Sequence, residues 1–174
     1  MEAQEYYICR VLLNGHELFL AWSPGEPDSF PRDAEGGLLV TRSLKSLAAI
    51  AGASGLGHVS EEPTDYDFDR IRKWCVAPNS TGVECSTFLN AWNFFDDLAG
   101  LHGGADNAYT WQSRCAAPCY DKLFWGNNLP AVTPVGKEYI PAWLSDELES
   151  IREVLTAGID LLEAELGSAN GRVQ

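Results

Sequence analysis

The sequence predicts an α+β fold, with an N-terminal antiparallel β-hairpin or small sheet packed against about four to five helices. Three observations predict it. An opening stretch rich in β-branched and aromatic residues surrounds an Asn-Gly pair. The later segments carry apolar residues at helical spacing. The composition, 45% hydrophobic with six Trp, six Tyr and seven Phe, supplies a core. Burial stabilises at about 25 cal/mol per Å², so aromatic side chains are the largest single contributors to such a core.

Tyr6 to Leu13 reads as a strand, Asn14-Gly15 as a two-residue turn that tolerates positive φ, and His16 to Trp22 as the return strand, broken by an exposed Glu17. A long loop, Ser23 to Gly37, follows, with Pro24, Pro27 and Pro31 beside Asp28 and Asp33. Leu38 to Thr41 predicts a third strand. It leads into a helix capped by Thr41 or Ser43, with Leu44, Leu47, Ala48 and Ala51 on one face and Gly52 and Gly55 at its end. Gly57 to Ser60 has room for a short strand. The acidic stretch Glu61 to Asp65 then precedes a helix from about Asp67 to Val76, with Phe68, Ile71, Trp74 and Cys75 as its apolar face.

Ala77 to Gly82 reads as a linker. Cys85 to Leu98 is helical by the spacing of Cys85, Phe88, Leu89, Trp92, Phe95 and Leu98, and the Gly103-Gly104 pair marks its end. Residues 103–119 read as a polar, irregular insertion, and Tyr120 to Trp125 as a short helical turn before the proline-spaced segment Pro130 to Pro141. The closing helix is predicted from a Ser145 cap, Asp146 and Glu147 at the positive helix end, and a stripe of Leu148, Ile151, Val154, Leu155, Ile159, Leu162 and Leu166, with Gly167 closing it. At 174 residues the chain fits a single domain, 1–174, with a possible subdomain boundary near 77–84.

The formal net charge of −13 repels phosphate backbones and anionic lipid, so neither nucleic acid nor membrane is expected as a partner; a basic protein is. Arg70, Arg72 and Lys73 are flanked by Asp65, Asp67 and Asp69 and make no basic patch. The N-terminal residues carry Glu2 and Glu5 and no apolar run, and the five cysteines are scattered, which together predict a reducing, cytoplasmic location.

Motifs for chemistry are scarce. There is no G-x-S-x-G elbow, and the glycines from Gly52 to Gly57 lack the lysine of a phosphate-binding loop. Asp65-x-Asp67-x-Asp69 opens like a calcium loop, but Arg70 replaces the required glycine and Val76 the bidentate glutamate; complementing a helix N-terminus is the simpler role. Cys115 and Cys119 have a spacing that zinc permits, with His102 upstream, but no fourth ligand is evident, so free thiols or a disulfide are expected and no metal or cofactor. His16, His58 and His102 are single. Asp96 and Asp97 are adjacent on a helix, about 100° apart, and form no obvious catalytic dyad. With Asn90 and Asn93 they make a polar face opposite the apolar stripe.

Three segments carry a resemblance: Tyr66 to Cys75 (YDFDRIRKWC), Phe88 to Ala99 (FLNAWNFFDDLA) and Tyr120 to Pro141 (YDKLFWGNNLPAVTPVGKEYIP). With the closing helix they resemble a group of small bacterial proteins of uncharacterised function. In size, acidity and lack of catalytic motifs these are similar to immunity proteins that neutralise secreted toxins. The resemblance covers the C-terminal two-thirds and brings no functional residues with it. It implies a class of role.

The leading expectation is a non-catalytic protein-binding module, an immunity- or antitoxin-like inhibitor of a basic toxin or nuclease. Its expected contacts are Glu61, Glu62, Asp65, Asp67, Asp96 and Asp97, with carboxylates steering association and exposed aromatics such as Tyr66, Tyr109 or Trp111 anchoring it. One alternative is a small-molecule binder or enzyme with a pocket around Trp125, Asn127 and Asn128. Another is a structural or assembly subunit, which a large exposed apolar patch would indicate.

Overall fold

The computed structural model describes residues 4–33, 35–58, 62–101 and 107–169. Strand β1 (Gln4–Leu13) pairs antiparallel with β2 (His16–Trp22) across the predicted turn, where Asn14 and Gly15 have φ of 53° and 71°. Both central residues are therefore left-handed, the conformation that lets a two-residue turn match the twist of its strands. Strand β3 (Val40–Thr41) adds antiparallel to β2. The other edge of β1 is shared end to end: β4 (Leu56–His58) pairs with Gln4 to Tyr6, and β5 (Thr64–Asp67) pairs with Cys9 to Leu12, both in parallel.

The sheet is thus mixed, where the sequence predicted an antiparallel one. The reason is helix α1 (Leu44–Ala53), which crosses over the hairpin from β3 and delivers β4 in the direction β3 already ran. Ser43 caps this helix, its hydroxyl accepting from the Ser46 N–H. Leu47 and Ala51 bury against Tyr6, Phe19, Ala21 and Leu39; Leu44 and Ala48, expected on that face, are exposed. Val59 and Ser60 of the predicted fourth strand lie outside the described residues, as do Gly103-Gly104 and the tail 170–174.

The opposite face of the sheet presents Cys9, Val11, Leu13, Leu18, Leu20 and Val40 to the main core. Tyr6 and Cys9, on opposite faces, are both buried, so the first half of β1 is covered on both sides, whereas Arg10 and Leu12 beyond it are exposed. Across that face lie α2 (Phe68–Val76), α3 (Cys85–Gly100) and the long α6 (Ser145–Ala169). Asp67 caps α2 by accepting the Arg70 N–H at 2.8 Å. Helix α6 begins at Ser145 itself, one residue before a Ser145 cap would allow. Glu147 reaches back to the Leu144 N–H at 2.8 Å, and Lys122 holds the same carboxylate at 2.6 Å.

Residues 103–119, expected to be an irregular insertion, instead hold α4 (Ala108–Cys115) and the start of α5 (Ala117–Gly126), which continues through the predicted helical turn Tyr120 to Trp125. Asn107 caps the first at the Thr110 N–H, and Pro118 sits in the first turn of the second, where a missing N–H costs nothing. They pack on α6 and α3 through Tyr109, Ala116, Cys119 and Leu123, all buried. Helix α3 is enclosed more completely than its predicted stripe: Ala91, Phe94 and Ala99 are buried too. What stays accessible on its central turns is a narrow line of Asn90, Asn93, Asp96 and Asp97. One apolar core runs from Cys9 to Leu166, so it spans segment 77–84, where residues Ser80–Gly82 form a short 3₁₀ turn.

Candidate functional site

The accessible line of α3 forms one wall of a cleft at the end of the sheet, with a volume of about 490 Å³. Helical spacing places Asn90, Asn93 and Asp97 on one side of α3, beside Phe94 and Asp96. The facing wall comes from the strands: Tyr7 and Cys9 of β1, Trp22 of β2, and Thr64 and Tyr66 of β5. Asp28, from the loop after β2, closes the rim. Register accounts for the assembly, because Tyr7 lies directly opposite Trp22 and Cys9 opposite Thr64.

Aromatic rings form much of the lining. Tyr7 and Trp22 are tilted against each other at 5.8 Å, and Tyr66 lies 4.8 Å from Phe94. Phe94 in turn abuts Phe30 and Phe68, which ties the wall of the cleft to the core. The rings are therefore backed by packed side chains and are fixed in place.

Each carboxylate of the cleft is held by one oxygen. Trp22 Nε1 donates to Asp97 Oδ2 at 2.9 Å. The Gly25 N–H donates to Asp28 Oδ1 at 2.8 Å. Tyr109 and Ser113 donate to Asp96 Oδ1 at 2.7 and 3.2 Å, which ties α4 to α3. Among the described residues the second oxygen of each accepts no hydrogen bond, and none of the three pairs with a cation. Burial raises the Asp97 carboxyl above the usual aspartate range; the Trp22 bond opposes this, and the negative charges of Asp28 and Asp96 add to it. Burial also raises Asp96, with the Tyr109 and Ser113 bonds offsetting part of the effect.

Cys9 lies at the base of the cleft. Burial pushes its thiol up to about 12, against a smaller opposing effect of the Tyr66 hydroxyl, with Asp97 adding to the rise. It stays protonated at neutral pH and is no nucleophile there. What the cleft offers is acceptors and aromatic faces, a combination suited to binding a cation.

The other acidic residues expected to meet a partner have different surroundings. Glu62 is exposed, and Glu61 lies outside the described residues. Asp65 is engaged by Arg10 through two bonds of 2.6 Å, on the face of the strands opposite Cys9 and Tyr66. Asp67 is the cap of α2, and Asp69 accepts the Asn14 and Gly15 N–H groups at 2.7 Å, bracing the hairpin turn. The structure therefore brings Asp96 and Asp97 together with Asp28, and leaves Glu62, Asp65, Asp67 and Asp69 outside the cleft that Thr64 and Tyr66 line.

Trp125, Asn127 and Asn128 do not line this cleft. Asn128 has φ of 49°, and its amide bonds Gly126 O, Tyr139 O and the Tyr139 N–H, closing the loop after α5. Cys115 is exposed and Cys119 buried, both as free thiols; His102 lies outside the described residues, among which no metal-ligating group of three or more is found. No helix among the described residues is long and apolar enough to cross a membrane.

Sequence reasoning named Tyr66 as an anchoring aromatic and missed Tyr7, Trp22 and Asp28 as site residues. The available signal was Asp28 in a long proline-spaced loop directly after an aromatic strand end, a place where polar groups serve function more often than folding. No protein-family model, curated protein or solved structure matches the chain.

Proposed function

We propose that this protein is a non-catalytic binding module, an immunity- or antitoxin-like inhibitor that occludes a basic protein partner. The observation that carries this reading is the aromatic-walled cleft, whose three carboxylates pair with no cation among the described residues. The partly buried Asp97 carboxylate is harder to ionise here than in water, and a complementary charge brought by another molecule would offset that cost. The net charge of −13 acts in the same sense at longer range, by steering a basic partner inward. The protonated Cys9 thiol argues for binding and against nucleophilic chemistry in the cleft. A cytoplasmic location and the likeness to immunity proteins belong to this same proposal.

A second reading, an assembly subunit, draws on a different surface. Along the segment after α5, Val135, Ile140 and Leu144 are 102%, 87% and 63% exposed, and Trp125 is 51% exposed. One experiment separates the two. The tagged full chain and an Asp28→Asn/Asp97→Asn double variant are used as bait in host lysate at low and at physiological salt. The inhibitor reading expects one basic protein, retained stoichiometrically by the parent chain, weakened by salt and lost from the variant. Retention that ignores both salt and the variant would overturn it in favour of the apolar surface.

A further inference from the structure

We propose that the cleft is an arginine site: it receives the guanidinium of an arginine side chain presented by the basic partner. This rests on the binding reading above and names the group that the cleft selects. Three features favour guanidinium over the ammonium of lysine.

The first is shape. Tyr7, Trp22 and Tyr66, all on the strand wall, offer ring surfaces, and Trp22 and Tyr66 are packed against the core. A planar, delocalised cation lies against such faces, whereas an ammonium presents only a point charge. The second is the count of acceptors. Asp28 and Asp97 each keep an oxygen without a partner among the described residues, and Asn90 lines the same wall. A guanidinium carries five N–H donors in a fixed fork and can serve several acceptors at once; an ammonium carries three. The third is desolvation. The rim carboxylates sit beside buried aromatic surface, and guanidinium, being more weakly hydrated than ammonium, loses less on leaving water. The cavity of about 490 Å³ also has room for the methylene stem that must follow the charged end inward.

Trp22 provides the reporter, because its indole N–H is bonded to Asp97. The full chain is labelled with ¹⁵N, the Trp22 indole resonance is assigned with a Trp22→Phe variant, and three capped amino-acid amides are titrated: arginine, lysine and citrulline. Citrulline keeps the shape of arginine without the charge. The arginine probe should shift the Trp22 resonance saturably. The lysine probe should bind about tenfold more weakly, and citrulline should leave the resonance in place. Asp97→Asn keeps an acceptor for the indole and should weaken arginine binding about tenfold, the loss expected for one charge-assisted contact. Asp28→Asn, on a surface loop, provides the same test should Asp97→Asn disturb folding.

Equal responses to arginine and citrulline, or an arginine response untouched by both variants, would overturn the assignment. So would a Trp22 resonance unmoved by arginine. If that silence accompanies capture of a basic protein that depends on Asp28 and Asp97, the binding reading stands and only the arginine site falls; if capture fails too, both fall.

Discussion

Asp97 is the residue where stability and binding pull apart. Its carboxyl is raised by burial and by two neighbouring carboxylates, so ionisation is harder in the folded chain than in the unfolded one. A group of this kind favours the folded state when protonated and loses that contribution as pH rises through its folded pKa. At neutral pH the charged form is therefore a cost to folding. Asp97→Asn removes the charge while its amide oxygen still accepts from Trp22. The variant should melt about 2–4 °C higher than the parent at pH 7, and the gap should close as pH falls through the raised pKa of folded Asp97 towards the usual aspartate value. Thermal unfolding followed by circular dichroism between pH 3 and pH 7 measures this; a variant that melts lower at pH 7 would mean that the charge is compensated inside the fold. Glu147 behaves oppositely. Burial pushes it up, but the Leu144 N–H and Lys122 outweigh burial and hold it below the usual range, so its contribution is present at neutral pH and lost on acidification. A stabilising residue and a destabilising one thus sit on the same chain, and only the destabilising one lines the cleft.

Elements divide by how local their signals are. The hairpin, α2, α3 and α6 were legible because an Asn-Gly turn, a capping aspartate and apolar residues at helical spacing act within a few residues of one another. Helix α4 and the first turn of α5 were not, since the buried residues there, Tyr109, Ala116 and Cys119, are too sparse to make a stripe and are held by tertiary contacts. Strand β5 was hidden for a related reason. Its sequence, TDYD, reads as polar, and it is a strand because the exposed edge of β1 offers it hydrogen-bonding groups. The cleft inherits this limit: the α3 wall of Asn90, Asn93, Asp96 and Asp97 was readable as one face of a helix, whereas the facing wall depends on where three strands and a loop meet. Among the described glycines the tightest approach is at Gly158 of α6, where a Cβ would collide with the ring of Phe95 on α3. Gly158→Ala gains about 1 kcal/mol of helix propensity but overpacks the core at a cost of about 1–3 kcal/mol, so the variant should be less stable. Combining it with Phe95→Leu should recover part of the loss, read as a coupling energy in urea unfolding. Simple addition of the two losses would mean that α3 and α6 are free to part at this contact.

At the scale of the whole molecule, the charge of −13 and the cleft act over different distances, and binding kinetics can separate them. The net field reaches beyond the surface and is screened over about 10 Å at 0.1 M salt, so it governs encounter. Contacts inside the cleft form after encounter and are shielded from salt by the walls around them, so they govern how long the complex lasts. Salt and mutation should therefore separate the two steps. Raising the ionic strength tenfold should slow association with the captured basic partner by about tenfold or more and change dissociation little. Asp97→Asn removes one charge in thirteen from the net field, so association should barely change, while dissociation should speed up about tenfold. Surface plasmon resonance with the partner immobilised measures both rates in one series. If Asp97→Asn slowed association as much as salt does and left dissociation alone, Asp97 would be one more contributor to a diffuse acidic field and the cleft would hold no part of the partner. If the two rates separate as stated, the acidity brings the partner in and the aromatic cleft keeps it.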